Sequence, residues 1–293
     1  MIRPSLRQLS YLTALEEESS FNAAADKCAV TQSTLSAGIK ELENVMGQTL
    51  VVRGRKNITL TPFGAEVAEQ ARQILKDADH IVARARMLRE PLSGPLRLGI
   101  IPTIAPYMLP AMLPALNRQF PKLELQLHED LTDRLLEKLE RGEIDLALMA
   151  FPYDTPHCTQ KILFAEDFLV AMPESLATDA KAIDMKDLEP EKLLLLEDGH
   201  CLRDHALSAC DIQLPRQRKT FSATSLQTLI EMVRAGMGMT LLPAMAADGT
   251  VLGRGIRLLP FKGKNPPRRQ IGLCWKSGDA RGKEFTLLAS TIK

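Results

Sequence analysis

Between residues 61 and 91 apolar residues recur in alternating steps of four and three: Val67, Ala71, Ile74, Ala78, Ile81, Ala85 and Leu88. A seven-residue repeat of this kind marks a helix that offers one continuous seam to another helix. Thr61-Pro62 supplies an N-cap followed by proline at the first helical position, and Pro91 stops the run. A helix this long outruns a small domain, so it divides the chain. Residues 1–60 form one block, 61–95 a linker helix with a hinge at Leu92-Ser93-Gly94-Pro95, and 96–293 a second block. The seam has two uses open to it, packing on the first block or pairing with a second copy. Its length favours self-assembly, as a dimer and beyond it a tetramer.

In the first block Leu6, Leu9, Leu12 and Leu15 keep helical spacing, and Ser20-Phe21-Asn22-Ala23-Ala24-Ala25 opens a short helix ending near Cys28. After the turn Ala29-Val30, Thr31 caps a helix whose buried stripe is Leu35, Ile39, Leu42 and Met46. The helical period then turns Ser33, Ala37, Lys40 and Asn44 outward, flanked by Ser36 and Gly38. Small polar side chains let a helix sit deep in a DNA major groove, with Thr31, Gln32, Ser33, Thr34, Ser36 and Lys40 in reach of bases or phosphates. Gln32 is the first candidate for a base contact. Leu50-Val51-Val52-Arg53 and Asn57-Ile58-Thr59-Leu60 read as a hairpin around Gly54-Arg55-Lys56, a wing that presents Arg53, Arg55 and Lys56 to phosphates. A purely structural three-helix domain is the competing reading, and Glu41 and Glu43 sit awkwardly for phosphate contact.

With a formal net charge of +1, nothing global pulls the chain toward nucleic acid, so affinity for double-stranded DNA must come from these local positions and from pairing. The start, Met1-Ile2-Arg3-Pro4-Ser5, runs straight into an amphipathic pattern without an apolar leader, and no apolar run is long enough to span a bilayer. A cytoplasmic protein with no membrane partner is expected.

The second block reads as strand Leu96 to Ile101, helix Ala105 to Arg118, strand Leu123 to His128, helix Thr132 to Arg141 and strand Ile144 to Met149, the βαβαβ order of a parallel sheet. A second set follows: strands Phe168 to Met172, Leu193 to Leu196 and Thr220 to Ala223, helix Ser225 to Ala235, and strand Met239 to Leu242. The last strand, Gln270 to Trp275, and helix, Arg281 to Ile292, are placed back on the first lobe. Lobe I is thus about 96–165 with 269–293, lobe II about 166–268, with two crossover strands between them. The fold class is α/β with an all-α winged helix-turn-helix at its head. Ligands of such sheets bind at strand carboxyl ends, here Pro102-Thr103, Thr132, Gly199-His200 and Ser222 to Ser225. GxGxxG after the first strand, a Walker A loop and GxSxG are all missing, so no cofactor is implied and an enzyme is not expected.

The whole chain resembles the LysR-type transcriptional regulators. The resemblance rests on Phe21-Asn22-Ala23-Ala24-Ala25, Thr31-Gln32-Ser33-Thr34-Leu35-Ser36, Ile39-Lys40-Glu41-Leu42-Glu43 and Thr61-Pro62-Phe63-Gly64. It implies a winged helix-turn-helix, a linker helix, a two-lobed effector domain like that of periplasmic binding proteins, and promoter DNA and RNA polymerase as partners. The run from Leu196 to Asp204 with Cys210 after it, together with Ile101-Pro102-Thr103, Ala223-Thr224-Ser225-Leu226 and Pro267-Arg268-Arg269, is similar to the hydrogen-peroxide-sensing branch, whose members activate oxidative-stress genes. That similarity implies Cys201 as peroxidatic and Cys210 as resolving cysteine, with Thr103, Thr132 and His200 lining the peroxide pocket.

Arg203, Arg268 and Arg269 are candidates to stabilise a Cys201 thiolate. Peroxide would give a sulfenic acid that Cys210 converts to a disulfide, reset by a thioredoxin- or glutaredoxin-like reductant. Nine residues of helix separate the two cysteines by about 13 Å, against about 6 Å between Cα atoms in a disulfide, so closing the bond requires unwinding. Three other readings stay open: zinc on His200, Cys201, His205 and Cys210, disfavoured because adjacent ligands strain a tetrahedral centre; an inert pair beside a cleft for an organic effector; and a thiol peroxidase. Cys28, Cys158 and Cys274 read as plain small apolar residues.

Overall fold

The computed structural model describes residues 3–53, 58–87, 90–176, 180–210, 222–247 and 252–292. They divide into two compact units, Met1–Arg89 and Glu90–Lys293.

In the first unit, helix α1 (Leu6–Glu18) starts on a reciprocal cap: Ser5 Oγ accepts the Gln8 N–H and Gln8 Oε1 accepts the Ser5 N–H. It buries Leu9, Leu12 and Leu15, leaving Leu6 exposed. Helices α2 (Phe21–Lys27) and α3 (Gln32–Met46) are joined by a turn in which Ala29 is left-handed at φ 52°. Leu35, Ile39 and Leu42 are buried and Met46 is half-buried, so the stripe thins at its last position. At Gly38 a Cβ would stand 2.7 Å from the Tyr11 ring, so α1 and α3 approach where only glycine fits. Strands β1 (Val51–Arg53) and β2 (Ile58–Leu60) form the antiparallel hairpin. Its expected tip, with Arg55 and Lys56, lies outside the described residues, as does the side chain of Arg53.

Helix α4 (Pro62–Met87) shows how the seven-residue repeat is used. Its early positions Val67 and Ala71, with Ala68, belong to the core of this unit, and Arg72 is paired with Glu16 of α1 and with Glu69. Ile74 is 47 % exposed, Ile81 73 % and Val82 51 %. The first turns of the seam thus pack on their own unit, as one of the two readings held, and the later turns keep exposed apolar residues that a second copy could cover. Leu88 and the side chain of Ala85 lie outside the described residues. Each such isoleucine buried in a helix pair contributes about 1.5–3 kcal/mol. Ile81→Asp is expected to weaken self-association at least about tenfold while leaving the helical circular dichroism intact; sedimentation showing an unchanged assembly would exclude the seam.

In the second unit, β3 (Gly94–Ile100) lies between β4 (Leu123–Glu129) and β5 (Leu146–Phe151), parallel to both, with α5 (Ala105–Gln119) and α6 (Thr132–Glu140) as crossovers. Next comes β6 (Cys158–Pro173), an unbroken strand of 16 residues. The sequence reading started it at Phe168; the earlier half was missed because Thr159, Gln160 and Lys161 are exposed polar residues. That half pairs with β11 (Arg268–Lys276), which is antiparallel to β5 as well. The later half pairs with β9 (Thr240–Pro243) and β10 (Ile256–Pro260). Beyond these, β7 (Leu195–Leu196) runs parallel to β8 (Ser222–Ala223), while α7 (Cys201–Ala209), α8 (Leu226–Arg234) and α9 (Gly282–Thr291) cover the sheets. Thr220, expected at the start of β8, lies outside the described residues.

Two cores result, one under each lobe. The first gathers Leu98, Ile100, Leu148, Ile271 and Phe285; the second gathers Phe168, Val170, Leu196, Ile230 and Leu242. The segment expected to be a free hinge is tied into this unit: Leu92 is buried with its N–H on Glu284 Oε1 at 3.2 Å, and Gly94 and Pro95 already belong to β3. Arg281 locks the same corner, donating to Glu284 Oε2 at 2.7 Å and to the Pro95 carbonyl at 3.0 Å.

Candidate functional site

Three backbone ends converge in the second unit. The chain leaving β3 brings Ile101-Pro102-Thr103, the start of α6 brings Leu131-Thr132, and the start of α7 brings Gly199-His200-Cys201. Together they enclose a pocket of about 10 Å³, the space that roughly one water molecule requires. Thr103, Thr132, His200 and Cys201 are all buried. Gly199 turns the chain with φ 95°, and His200 occupies the N-cap of α7.

Arg269, with no exposed side-chain surface, holds this corner together. Its Nε donates to Glu166 Oε1 at 2.6 Å, Nη1 to Thr103 Oγ1 at 3.0 Å and Nη2 to the Thr103 carbonyl at 3.2 Å. Glu166 in turn accepts the Met245 N–H at 3.1 Å. A buried arginine requires such a complete set of acceptors, because its charge cannot be discharged by losing a proton. The neighbouring arginine goes elsewhere: alternation along β11 turns Arg268 to the half-exposed Asp167 at 3.4 Å. Arg203 is paired with Asp198 at the surface. Of the three candidate arginines, Arg269 is thus the one whose charge acts on Cys201.

Burial pushes the Cys201 thiol above its ordinary value; donation from Thr132 and the charge of Arg269 pull it back, and Asp204 opposes them. The Thr132 hydroxyl has no hydrogen-bond partner besides the Cys201 sulfur, so its proton is committed to no competing acceptor. His200 is pushed toward the neutral form by burial, against Glu197 and its hydrogen bond to the Thr224 backbone. Ser225 is committed to capping α8 through the Thr228 N–H at 3.2 Å and takes no part in the pocket. His205, which the sequence placed only in the disfavoured zinc reading, stands one turn beyond Cys201, and its Nε2 meets the Pro152 carbonyl at 2.7 Å, fastening α7 to the end of β5. Its spacing of four from Cys201 was the available signal. Among the described residues no His, Cys, Asp and Glu cluster suits a metal.

Helix α7 belongs to both cores. Cys201 enters the first, while Leu202, Ala206 and Cys210 enter the second. Burial lifts the Cys210 thiol to about 12. The two thiols are free and lie at opposite ends of an intact helix.

On the first unit, Gln32, Ser33, Thr34 and Lys40 are exposed along α3, and Ser36 is half-buried. Thr31 spends its hydroxyl on the cap, accepting the Thr34 N–H at 3.2 Å. Glu43, a concern for phosphate contact, points away: its Oε1 accepts the N–H groups of Leu50 at 2.9 Å and Val51 at 3.2 Å. No helix among the described residues is long and apolar enough to cross a membrane.

Comparison with known proteins places these features. Residues 6–65 match the family profile described as bacterial regulatory helix-turn-helix protein, lysR family, and residues 89–293 match the LysR substrate binding domain. The HTH-type transcriptional regulator EstR of Acinetobacter baylyi is 41 % identical over 290 residues, 99 % of this chain and 96 % of that one. The DNA-binding transcriptional dual regulator OxyR of Escherichia coli is 40 % identical over 290 residues, 99 % and 95 % of the two chains. A full-length OxyR variant from Pseudomonas aeruginosa superposes with a TM-score of 0.83 at 34 % identity, covering 100 % of this chain and 95 % of that one. A peroxide-bound cysteine mutant of Corynebacterium glutamicum OxyR gives 0.68 at 34 % identity, covering 99 % and 92 %.

Proposed function

Because the chain belongs to the LysR family of bacterial transcriptional regulators, we propose that it is a DNA-binding regulator whose effector is hydrogen peroxide, read by reversible disulfide formation between Cys201 and Cys210. The observation that carries this reading is the size of the space beside Cys201. An organic effector needs a cleft of about 300 Å³ or more, whereas this pocket measures about 10 Å³ and sets Thr103, Thr132 and His200 among apolar walls. It suits a solute of one or two oxygen atoms. The relative EstR bears no peroxide-sensing name, so the effector rests on this geometry and on the OxyR relatives.

In the proposed reaction the Cys201 thiolate attacks one peroxide oxygen, the O–O bond breaks, and the second oxygen leaves as water after taking a proton. Thr132 and Arg269 stabilise the thiolate, and neutral His200 is a proton acceptor beside it. The sulfenic acid places a polar group where the first core packed a thiol. Cys210 then attacks that sulfur, a second water leaves, and the disulfide closes. Closing backbone positions that the helix holds about 13 Å apart requires α7 to unwind, drawing Leu202 and Ala206 out of the second core and releasing His205 from Pro152. Burying a leucine is worth about 1.5–3 kcal/mol, so the covalent bond is opposed by lost packing, and a cellular dithiol reductant restores the helix.

Gln32, Ser33, Thr34 and Lys40 read the operator, two copies joined through α4 set the spacing of the half-sites, and RNA polymerase is the downstream partner. One equivalent of peroxide followed by non-reducing tryptic mapping is expected to give a cross-linked pair of peptides holding Cys201 and Cys210. Both cysteines remaining alkylatable would remove the proposal.

A further inference from the structure

Cys158 and Cys274, more than a hundred residues apart in the chain, are neighbours. Cys158 opens β6 and Cys274 lies near the end of β11; in the antiparallel register Cys158 faces Lys276 and Cys274 faces Gln160. Residues offset by two across such a ladder share one face of the sheet, with Cα atoms about 7–8 Å apart. The Cys274 thiol is hydrogen-bonded to Cys158, and that bond, then burial, then the charge of a Cys158 thiolate hold it protonated, against a weaker pull from Thr155. The two sulfurs differ in access. Cys274 is fully buried in the first core, whereas Cys158 is half-buried and lines a cavity of about 470 Å³ with Asp133, His157 and Lys276.

We propose that Cys158 and Cys274 are a second oxidisable dithiol, closed to a disulfide by a hydroperoxide that enters this cavity and meets Cys158 first. Cys158, as thiolate, attacks one oxygen of the hydroperoxide. The O–O bond breaks, and the other oxygen leaves with a proton as water or alcohol, giving a Cys158 sulfenic acid. Cys274 attacks that sulfur, its proton joins the departing hydroxide as water, and the S–S bond forms. Two thiols lose two electrons, and the hydroperoxide gains them.

The two pairs differ in what closure demands. About 7–8 Å between Cα atoms lies just beyond the usual reach of a disulfide; Cys158 opens its strand, where the ladder shifts easily, whereas Cys274 is held between β5 and β6. Closure here requires side-chain rotation and a small slide of the first residues of β6 along β11. Cys201 and Cys210 require a helix to unwind. The second pair therefore responds without moving a lobe, as a peroxide-consuming or protective thiol set beside the sensing one.

The test uses the wild-type chain. Trypsin leaves each cysteine on its own peptide, 142–161 for Cys158, 193–203 for Cys201, 204–216 for Cys210 and 270–276 for Cys274, so the two pairs are scored separately. After hydrogen peroxide, and in a parallel arm cumene hydroperoxide, a cross-link between 142–161 and 270–276 that dithiothreitol removes is expected. Alkylation of both cysteines should fall to background. The full-length C201S/C210S variant is expected to give the same cross-link, which separates this inference from the proposed sensing reaction. Unchanged alkylation of Cys158 and Cys274, or Cys158 advancing alone to sulfinic acid, would overturn it.

Discussion

Arg269→Met is expected to destabilise the regulatory unit by about 3–5 kcal/mol, the loss seen when one member of a buried ion pair is removed. The side chain is completely enclosed, its guanidinium binds Glu166 and both oxygens of Thr103, and methionine fills much of its volume without replacing any of those bonds. Glu166 is then a buried carboxylate that keeps the Met245 N–H and little else. Urea unfolding of wild type and variant reads the difference directly. Arg269→Met/Glu166→Gln should recover part of it, because the uncompensated charge is gone. A loss below about 1 kcal/mol for the single variant would mean that water reaches the site and that the ion pair is not the clamp described. The same substitution removes the positive charge that favours ionised Cys201, so peroxide oxidation slows as well.

Oxidation of Cys201 by peroxide is expected to accelerate about tenfold for each pH unit between roughly 6 and 8. The nucleophile is the thiolate, and burial holds this thiol above its ordinary value, so throughout that range the thiolate is a minority whose population rises with pH. The sign follows: a group kept in its protonated form is recruited as protons are withdrawn. Quenched-flow trapping of the sulfenic acid in a Cys210→Ser background isolates this first step. A rate independent of pH from 6 to 8 would place the thiol below that range and make Thr132 and Arg269 dominant over burial. Thr132→Val, which removes the hydroxyl that has no other hydrogen-bond partner, should lower the rate at every pH without altering the slope.

Much of the arrangement could be read from local periodicity. The capped helices, the Thr61-Pro62 start and the βαβαβ order each rest on residues close in sequence, and their elements formed where the spacing placed them. What escaped depended on distant pairing. The first half of β6 looks too polar for a strand until β11, more than a hundred residues later, covers one of its edges. Arg268 and Arg269 are indistinguishable in sequence; the register of β11 against β6 decides which is enclosed with Glu166 and which meets solvent beside Asp167. Cys158 and Cys274 read as unrelated apolar residues because their contact exists only across that same ladder. Arg203 shows the reverse case, a promising neighbour of Cys201 whose charge is taken up by Asp198.

The inward turn of Glu43 also bears on how DNA is held. With that carboxylate occupied by the β1 backbone, the exposed surface of α3 carries Lys40 and Glu41 among hydroxyl, amide and methyl groups, so its charges nearly cancel. Affinity gained by displacing condensed counterions scales with the phosphates a protein neutralises, and this helix neutralises few. On the proposed reading it is a discriminating surface more than an adhesive one: α3 would choose among base sequences, and the salt-sensitive share of binding would fall to residues outside it.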